Sequence, residues 1–210
     1  MKKWTNMPEN GRTLLCLVRH GDAGDALALP ERDAVRVLSD KGRKQSKRAG
    51  KALSRLGLLP RDVWVSRLRR AAETAEVATA ALSTAPRVIA TAALAPEALP
   101  ERISKALLET PPAPLPRPDE KEAASSASPR GRGKTSDKAR SETAPVVRWL
   151  IGHEPHLSRL CGYLTGAPPS AFRLQKGGIA LLECDGRGPQ AGACHLEGLY
   201  RPEALKHLLR

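Results

Sequence analysis

The chain has 210 residues, of which 40% are hydrophobic and only 3% aromatic, so it is long enough for one domain with an aliphatic core. Its formal net charge of +13 is compatible with nucleic acid, anionic lipid, or an anionic substrate or acidic partner, and charge does not choose among them. The sequence contains no apolar run of 18 residues and no apolar segment of a signal peptide near its start. These absences argue against a membrane span and predict a cytoplasmic protein.

The hydrophobic pattern predicts strands that alternate with helices. Residues 13–18 form an apolar run without helical periodicity, which is typical of a central strand. A helix is predicted over 37–59, with Ser39 or Asp40 as its cap and Gly57 at its end. The further strands are predicted, in chain order, at 62–66, 87–91, 146–152, 177–184 and 194–200. The further helices are predicted at 67–82, 99–109, 156–164 and 201–209.

This alternation predicts an α/β fold, a three-layer α/β/α sandwich around a mostly parallel sheet. The last two strands are joined by a turn that contains Gly186, Gly188 and Pro189, which predicts an antiparallel edge. We expect an N-terminal tail over 1–12 and a single domain over 13–210.

A segment of different composition, 110–145, interrupts that domain. It holds seven of the 18 prolines, and Leu115 is its only large apolar residue. Such a segment cannot bury enough surface to offset its ordering entropy, so we predict a disordered insert. It carries seven basic and five acidic residues, so most of the net positive charge lies on the folded part.

The four cysteines are Cys16, Cys161, Cys184 and Cys194, and no two of them form a C-x-x-C pair. Cys16 and Cys184 lie inside apolar runs. We interpret all four as reduced core thiols, neither a zinc site nor a disulfide framework.

Three segments that carry polar chemistry follow predicted strands. They are Arg19-His20-Gly21, the helix start that contains Arg70, and Gly152-His153. Because the carboxyl ends of parallel strands meet at one edge of a sheet, we expect two histidines and two arginines to surround one point. Guanidinium groups and helix N-termini at such an edge suit a phosphoryl group.

These segments resemble the histidine phosphatase superfamily. Arg-His-Gly near the start, "SRLRRAAET" (66–74) and the late "GHEP" (152–155) follow the pattern of that superfamily. The short length, "RHGDA" (19–23), "RVLSDKG" (36–42) and "LQKGGIALLE" (174–183) are similar to the small bacterial phosphohistidine phosphatases of the SixA type. The resemblance implies the phosphoglycerate mutase-like fold.

The resemblance also implies a mechanism without a cofactor or a metal. His20 attacks phosphorus and becomes phosphorylated, and water then hydrolyses the phosphohistidine. Arg19, Arg70 and His153 surround the phosphoryl oxygens, with Gly21 leaving the backbone open to the ligand. Arg36 matches a further arginine that contacts the phosphate or the partner, although a plain salt bridge is an equal alternative.

Larger members of the superfamily use a carboxylic acid to protonate an alkoxide leaving group. Glu97 and Glu101 are candidates by position, and Asp22 by proximity. A phosphohistidine needs this acid less, because imidazole is a better leaving group than an alkoxide.

Several alternatives remain open on the sequence. Arg69 could replace Arg70 at the site. His153 and His156 form an H-x-x-H pair, which lacks a third ligand for a metal. The basic helix over 41–55 is a solvated face or a docking surface for an acidic partner, and nucleic acid is disfavoured because no aromatic residue is interleaved with it.

The sequence therefore predicts a cytoplasmic, metal-independent phosphatase that acts on a protein phosphohistidine, with a phosphotransfer domain of a signalling relay as its partner. The first alternative is a phosphatase for small phosphate esters or phosphoanhydrides. The second is a non-catalytic module that binds phosphate or an acidic partner.

Overall fold

The computed structural model describes residues 12–80, 82–83, 85–114 and 145–209. Its strands are β1 (Thr13–Arg19), β2 (Asp62–Ser66), β3 (Arg87–Thr91), β4 (Val146–Gly152), β5 (Ile179–Cys184) and β6 (Cys194–Tyr200). Its helices are α1 (Pro30–Ala34), α2 (Asp40–Arg55), α3 (Arg69–Thr79), α4 (Pro100–Glu109) and α5 (His156–Thr165). Short 3₁₀ turns cover Ala92–Leu94, Pro169–Ala171 and Ala204–Leu209.

The strands form one sheet in the order β3-β2-β4-β1-β5-β6. The pairs β2–β3, β2–β4 and β1–β4 are parallel, whereas β5 runs antiparallel to both β1 and β6. The predicted α/β/α sandwich with an antiparallel edge is therefore confirmed. The register places the carboxyl ends of β1 and β4 side by side, since Arg19 pairs with Gly152.

The core has two halves, one on each face of the sheet, and β1 supplies both by simple alternation. Leu14, Cys16 and Val18 pack with α2 and α3, and Leu15 and Leu17 pack with α4 and α5. All five side chains are buried, because the two faces of the sheet are each covered by helices. Because both faces of such a central strand are buried, its residues are apolar without interruption. The sequence predicted β1 from this pattern.

Helix α2 has a capping residue at its start and a glycine just after its end. Ser39 is the cap, since its Oγ accepts a hydrogen bond of 3.1 Å from the Gly42 N–H. Gly57 follows the helix with a φ of 77°, a left-handed conformation that glycine adopts without steric cost. Within the described part of the chain, no helix is long and apolar enough to cross a membrane.

Two local elements differ from the sequence prediction. Residues 201–209 were expected to form a helix, but only a 3₁₀ turn over Ala204–Leu209 is present after Pro202. The short helix α1 was not predicted, because it buries none of its residues and so has no apolar period. Both segments are short, so the helix propensity of their residues is a weak guide to the structure that they adopt.

The insert predicted at 110–145 begins and ends at the amino ends of the strands. Residues 110–114 contact this end of the sheet, where the Ala113 N–H lies 3.3 Å from Asp62 Oδ1 and Arg148 donates to the Thr110 carbonyl. Residues 115–144 lie outside the described residues, as does the predicted tail except for Arg12. For residues 115–144, disorder stays a prediction.

The interpretation of all four cysteines as reduced thiols is wrong for two of them. Cys184 and Cys194 form a disulfide, whereas Cys16 and Cys161 are free and buried. The pairing follows from the sheet register, because Cys184 at the end of β5 lies directly opposite Cys194 at the start of β6. Spacing along the sequence, ten residues, gave no sign of this contact.

Candidate active site

Two histidines meet at the carboxyl edge of the sheet because β1 and β4 are adjacent and in register. His20 follows Arg19 of β1, and His153 follows Gly152 of β4. The His20 N–H donates to the Gly152 carbonyl at 3.0 Å, which fixes the two strand ends together. The ring centroids of His20 and His153 are 4.9 Å apart. The predicted convergence of these residues is therefore present in the fold.

One ring nitrogen of His20 is held by the backbone. Nδ1 lies 2.7 Å from the Gly21 carbonyl oxygen, which can only accept, so Nδ1 carries the proton and donates. Nε2 has no hydrogen-bond partner among the described residues. In the neutral ring this nitrogen keeps its lone pair, so it is the atom available to attack an electrophile.

The surroundings of His20 keep it neutral. The residue is only 5% exposed. Burial lowers its pKa to about 3, the hydrogen bond to Gly21 opposes this, and the positive charges of Arg70, Arg19 and Arg36 lower it further. The imidazole of His20 is therefore unprotonated throughout the neutral pH range.

His153 is buried beside His20 and has one nitrogen in use. Its Nε2 lies 2.8 Å from Oγ of Ser66, the last residue of β2, while its Nδ1 is buried without a partner. Burial, the neighbouring His20 and the charge of Arg70 lower its pKa to about 2. A neutral His153 whose Nε2 accepts from Ser66 carries its proton on Nδ1, where it can donate to a ligand.

The two arginines are each anchored by a single backbone carbonyl. Arg19 Nη1 donates to Leu174 O at 2.8 Å, and Arg70 Nη1 donates to Asp33 O at 2.9 Å. The Nε atoms of both guanidinium groups are buried without a partner. Burial lowers the pKa of both side chains, which nonetheless stay charged at neutral pH.

Three buried donors therefore lack acceptors around His20: Arg19 Nε, Arg70 Nε and His153 Nδ1. A buried polar atom without a partner costs free energy, and most such atoms in folded proteins are satisfied. These three donors belong to the three segments that surround His20, whereas other buried atoms without a partner, such as Trp64 Nε1 and Arg148 Nε, lie elsewhere in the described residues. A phosphoryl group has the oxygens that would accept from all three.

Arg69, the alternative to Arg70, lies elsewhere. Its side chain is 53% exposed and bonds Glu73 Oε1 at 3.0 Å. Arg70 is 5% exposed and faces the charge of Asp33 across 3.0 Å. The structure therefore brings Arg70, and not Arg69, to the histidine pair.

Asp33 is a site residue that the sequence analysis missed. It bridges Arg36 and Arg70, with oxygen to nitrogen distances of 2.8 and 3.0 Å. Burial raises its pKa, but hydrogen bonds from the Leu27 N–H and Arg36 and the charge of Arg70 outweigh this and lower it. Asp33 lies in α1, which had no apolar signal, and its spacing of three residues from Arg36 was the only sequence hint.

Arg36 holds the loop that follows His20 in place. Its Nη1 donates to the carbonyls of Ala23 and Gly24, at 2.8 and 3.0 Å, and its Nε donates to Asp33. The salt bridge that the sequence left open is therefore present. Arg36 acts on His20 through its charge, while its donors contact the protein itself.

The backbone at Gly21 passes against α2 and α3. The Gly21 N–H donates to Thr74 Oγ1, and a Cβ at Gly21 would lie 2.5 Å from the Gly42 carbonyl oxygen. A Cβ at Gly42 would in turn overlap the Asp22 carbonyl oxygen. The glycines of "RHGDA" and "RVLSDKG" thus allow the loop and the helix to touch.

The three candidates for a general acid are not equivalent. Hydrogen bonds from Lys176 and Ser39 lower the pKa of Asp22 to about 2, and its Oδ1 lies 2.9 Å from Lys176 Nζ. Such a carboxylate is a poor proton donor at neutral pH. Glu97 and Glu101 are exposed residues between the Ala92–Leu94 turn and the first turn of α4.

A fourth carboxylate, Glu154, follows His153 directly. Its Oε1 accepts from Ser158 Oγ at 2.8 Å and from the Leu174 N–H at 2.9 Å, and its charge raises the pKa of Arg19 against the effect of burial. Glu154 therefore positions the loop that anchors Arg19.

No third ligand accompanies the H-x-x-H pair, since the described residues contain no group of three or more histidine, cysteine or acidic residues that could hold a metal. His156 is fully buried, and both of its ring nitrogens lack a partner. Burial, together with the charge of Arg159, lowers its pKa to about 4.

Three solved structures illustrate the similarity of the fold. The SixA protein histidine phosphatase bound to tungstate superposes with a TM-score of 0.66 at 20% identity, covering 92% of this chain and 99% of that one. Phosphoglycerate mutase from Plasmodium falciparum superposes with a TM-score of 0.53 at 18% identity, covering 90% of this chain and 91% of that one. The mycobacterial glucosyl-3-phosphoglycerate phosphatase bound to VO₃ superposes with a TM-score of 0.56 at 19% identity, covering 90% of this chain and 99% of that one.

At these identities the structures show a shared fold only. Among curated proteins, none matches the chain by sequence. A family model does match: that of the histidine phosphatase superfamily (branch 1) covers residues 15–195, from within β1 through the end of β5. This chain, with its paired histidines at the carboxyl edge of the sheet, belongs to the histidine phosphatase superfamily.

Proposed function

We propose that this protein is a phosphatase that removes the phosphoryl group from a phosphohistidine on a partner protein. The reaction passes through a covalent phosphohistidine at His20. The observation that carries the proposal is the state of His20: a neutral imidazole, held at Nδ1 by Gly21, with Nε2 free beside three unsatisfied donors.

In the first step the lone pair of His20 Nε2 forms a bond to phosphorus. The bond between phosphorus and the substrate imidazole breaks, and the departing nitrogen keeps the electron pair. Arg19, Arg70 and His153 Nδ1 donate to the phosphoryl oxygens, whose charge is spread in the transition state. Because these donors are already fixed by Leu174, Asp33 and Ser66, little reorganisation is needed when the charge develops.

In the second step water attacks phosphorus opposite the bond to Nε2. That bond breaks, Nε2 recovers its lone pair, the water proton passes to solvent and inorganic phosphate leaves. The hydrogen bond from Nδ1 to Gly21 persists through both steps, so the ring keeps its orientation.

The leaving group favours phosphohistidine over an alkyl phosphate. A substrate imidazole that is protonated at its other nitrogen departs as a neutral molecule, whereas an alkoxide needs a proton from a general acid. Asp22 has a pKa of about 2 and is paired with Lys176, so it does not meet that need. The similarity to a SixA protein histidine phosphatase supports the same choice.

We also propose that the reaction needs no added metal ion. Two guanidinium groups, those of Arg19 and Arg70, supply the positive charge that divalent cations supply in other phosphoryl-transfer sites. As the partner we propose a phosphotransfer domain of a signalling relay, since a protein phosphohistidine has to be exposed in order to reach the edge of the sheet.

The test compares wild type with His20→Ala on two substrates in the presence of a chelator. One is an isolated phosphotransfer domain that carries radiolabelled phosphohistidine, and the other is a small alkyl phosphate. We expect rapid release of phosphate from the domain only, and a loss of at least about 10³-fold in His20→Ala. His195→Ala is the control, since His195 is exposed on β6.

A quenched reaction should also transfer label to wild-type enzyme and not to His20→Ala. Faster release from the alkyl phosphate would instead favour the small-ester alternative, with Glu97 and Glu101 as the next residues to substitute. No release from either substrate would contradict the proposed activity.

A further inference from the structure

A cleft of about 400 Å³ shares Arg19 with the candidate active site, and five of its eleven lining residues are basic. We call it the basic cleft and define it by Arg19, Lys41, Arg173, Lys176 and Arg201. Arg19 belongs both to this cleft and to the catalytic edge, as the residue directly before His20. A group bound in the basic cleft would therefore lie next to the phosphoryl group on His20.

The basic cleft contains more positive charge than its own acids neutralise. Its carboxylates are Asp22 and Glu203, and Asp22 is already paired with Lys176 at 2.9 Å. Lys41, Arg173 and Arg201 form no ion pair with any residue in the described ranges, and all three are exposed. A cluster of like charges without partners attracts an anionic ligand.

The positive surface continues from the basic cleft along helix α2. The residues Lys41, Lys44, Arg48, Lys51 and Arg55 repeat at intervals of three and four, so they share one face of the helix. At 1.5 Å per residue, this basic stripe is roughly 20 Å long. The only acidic residue of α2 is Asp40, at its first position.

The length of the stripe and the lining of the cleft indicate the kind of ligand. A small phosphate ester spans only part of a surface of this length, whereas a protein surface can cover all of it. The cleft has no aromatic lining residue on which a nucleotide base could stack. The charge and the extent of the surface therefore match the carboxylates of a protein.

Building on the proposed function, we propose that the basic cleft and the basic stripe of α2 dock a carboxylate-rich surface of the partner protein. The partner's acidic residues lie beside its phosphohistidine, so that docking delivers the phosphoryl group to His20. Docking of this kind accelerates association and depends strongly on salt, because it acts through opposite charges at a solvated surface.

The test uses a triple variant, Lys41→Glu, Arg173→Glu and Arg201→Glu, which leaves the proposed catalytic groups intact. The control reverses three basic residues that do not line the cleft: Arg102, Lys105 and Arg187. Lys105 and Arg187 form only exposed ion pairs, with Glu109 and Asp185, whose loss costs little stability. Both variants change the net charge by the same amount. Turnover is measured with phosphoramidate, a small donor with a P–N bond, and with a phosphotransfer domain that has carboxylates around its phosphohistidine.

We expect the cleft variant to lose about 10- to 100-fold in kcat/KM on the phosphotransfer domain at 50 mM salt, since electrostatic steering raises association rates by about 10–10³-fold. Its turnover of phosphoramidate should stay within about twofold of wild type, since the effect lies in association and not in the chemistry. The control variant should retain the wild-type rate with both substrates. At 300 mM salt the difference between the two variants should shrink.

Equal losses in the cleft and control variants would overturn the docking proposal, because net charge alone would then explain them. An unchanged rate on the domain would also overturn it, and weakened binding of a 20-nucleotide single strand in the same variant would then reassign the cleft to nucleic acid. If wild type hydrolyses neither donor, the proposed function fails. Docking is then judged separately, by binding of the unphosphorylated domain to the two variants.

Discussion

At the amino ends of its strands the sheet buries Asp62, whose carboxylate is shared between Arg87 and Arg148. Asp62 Oδ2 and Arg148 Nε lack a hydrogen bond there, but they carry opposite charges and lie 3.4 Å apart. At the carboxyl ends the sheet buries Arg19, Arg70 and His153, whose atoms without a partner are all donors. Asp62 is fully buried, and its Oδ1 also lies 3.3 Å from the Ala113 N–H. The amino end thus brings opposite charges together within the protein. At the carboxyl end the missing acceptors are those that we propose a phosphoryl group to supply, so the two ends differ in whether their unpaired atoms complement each other.

The largest effect on stability should come from the amino end. Asp62→Ala leaves Arg148, which is 3% exposed, without its carboxylate, so we expect a loss of about 3–5 kcal/mol in the free energy of unfolding. Urea unfolding measures it. Arg12→Ala breaks the more exposed pair with Glu183 at the same end and should cost at most about 1 kcal/mol. Similar losses in the two variants would show that burial of the pair is not the cause.

At the carboxyl end the same kind of change should affect turnover instead. Arg70→Met removes a donor from the phosphoryl site, and we expect kcat to fall by about 10²–10³-fold. The unfolding temperature should change by only a few degrees, because a buried charge disappears together with its hydrogen bonds. Arg69→Met is the matched control from the adjacent position and should keep wild-type turnover. Equal losses of activity would remove the distinction between the two arginines.

The sequence predicted the elements whose signal is local and missed those that depend on register. The apolar run of β1 and the cap of α2 are properties of consecutive residues, so both were correctly predicted. Asp33 was missed because α1 has no buried face. The disulfide was missed because the pairing of Cys184 with Cys194 depends on how β5 and β6 align, including a shift in register between Leu181 and Leu182.

The disulfide permits a test of that register. Cys194→Ser removes the link between β5 and β6, and a closed loop of this length contributes about 2–3 kcal/mol in the chain-entropy treatment. Urea unfolding of wild type and variant, both without reductant, should show that loss, and added reductant should abolish the difference. Cys161→Ser, at a free buried thiol, should be insensitive to reductant. A wild type that is equally stable with and without reductant would contradict the contribution of this link.

Buried histidines should make the carboxyl end sensitive to acid. The pKa of His156 is about 4 in the fold, against about 6.5 in an unfolded chain, so the unfolded state binds more protons below pH 6.5. The stabilising effect of this difference is fully present only above pH 6.5 and declines as pH falls towards 4. Between pH 7.5 and pH 5, His156 should account for roughly 2 kcal/mol of lost stability.

His156→Leu should therefore lose less stability than wild type between those two pH values, by about that amount. Leu157→Met, a buried and non-titrating change at the next residue, is the control and should follow wild type. Unfolding in urea at pH 7.5 and pH 5 measures all three proteins. If His156→Leu were as acid-sensitive as wild type, the titration of other buried groups would have to explain the loss.

The smallest expected effect tests how independent the two ends are. The insert leaves the described chain after Pro114 and returns at Pro145, next to the first residue of β4, whereas His153 follows the last. Seven residues of strand, roughly 20 Å, separate Pro145 from the histidine pair. Replacing residues 115–144 with a short Gly-Ser linker should therefore leave turnover of phosphoramidate within about twofold of wild type. A large loss of turnover on this small donor would mean that a change at the amino ends of the strands affects the site at the carboxyl ends. The two ends of the sheet would then not be independent. A loss confined to the phosphotransfer domain would instead mean that residues 115–144 contribute to recognition of the partner.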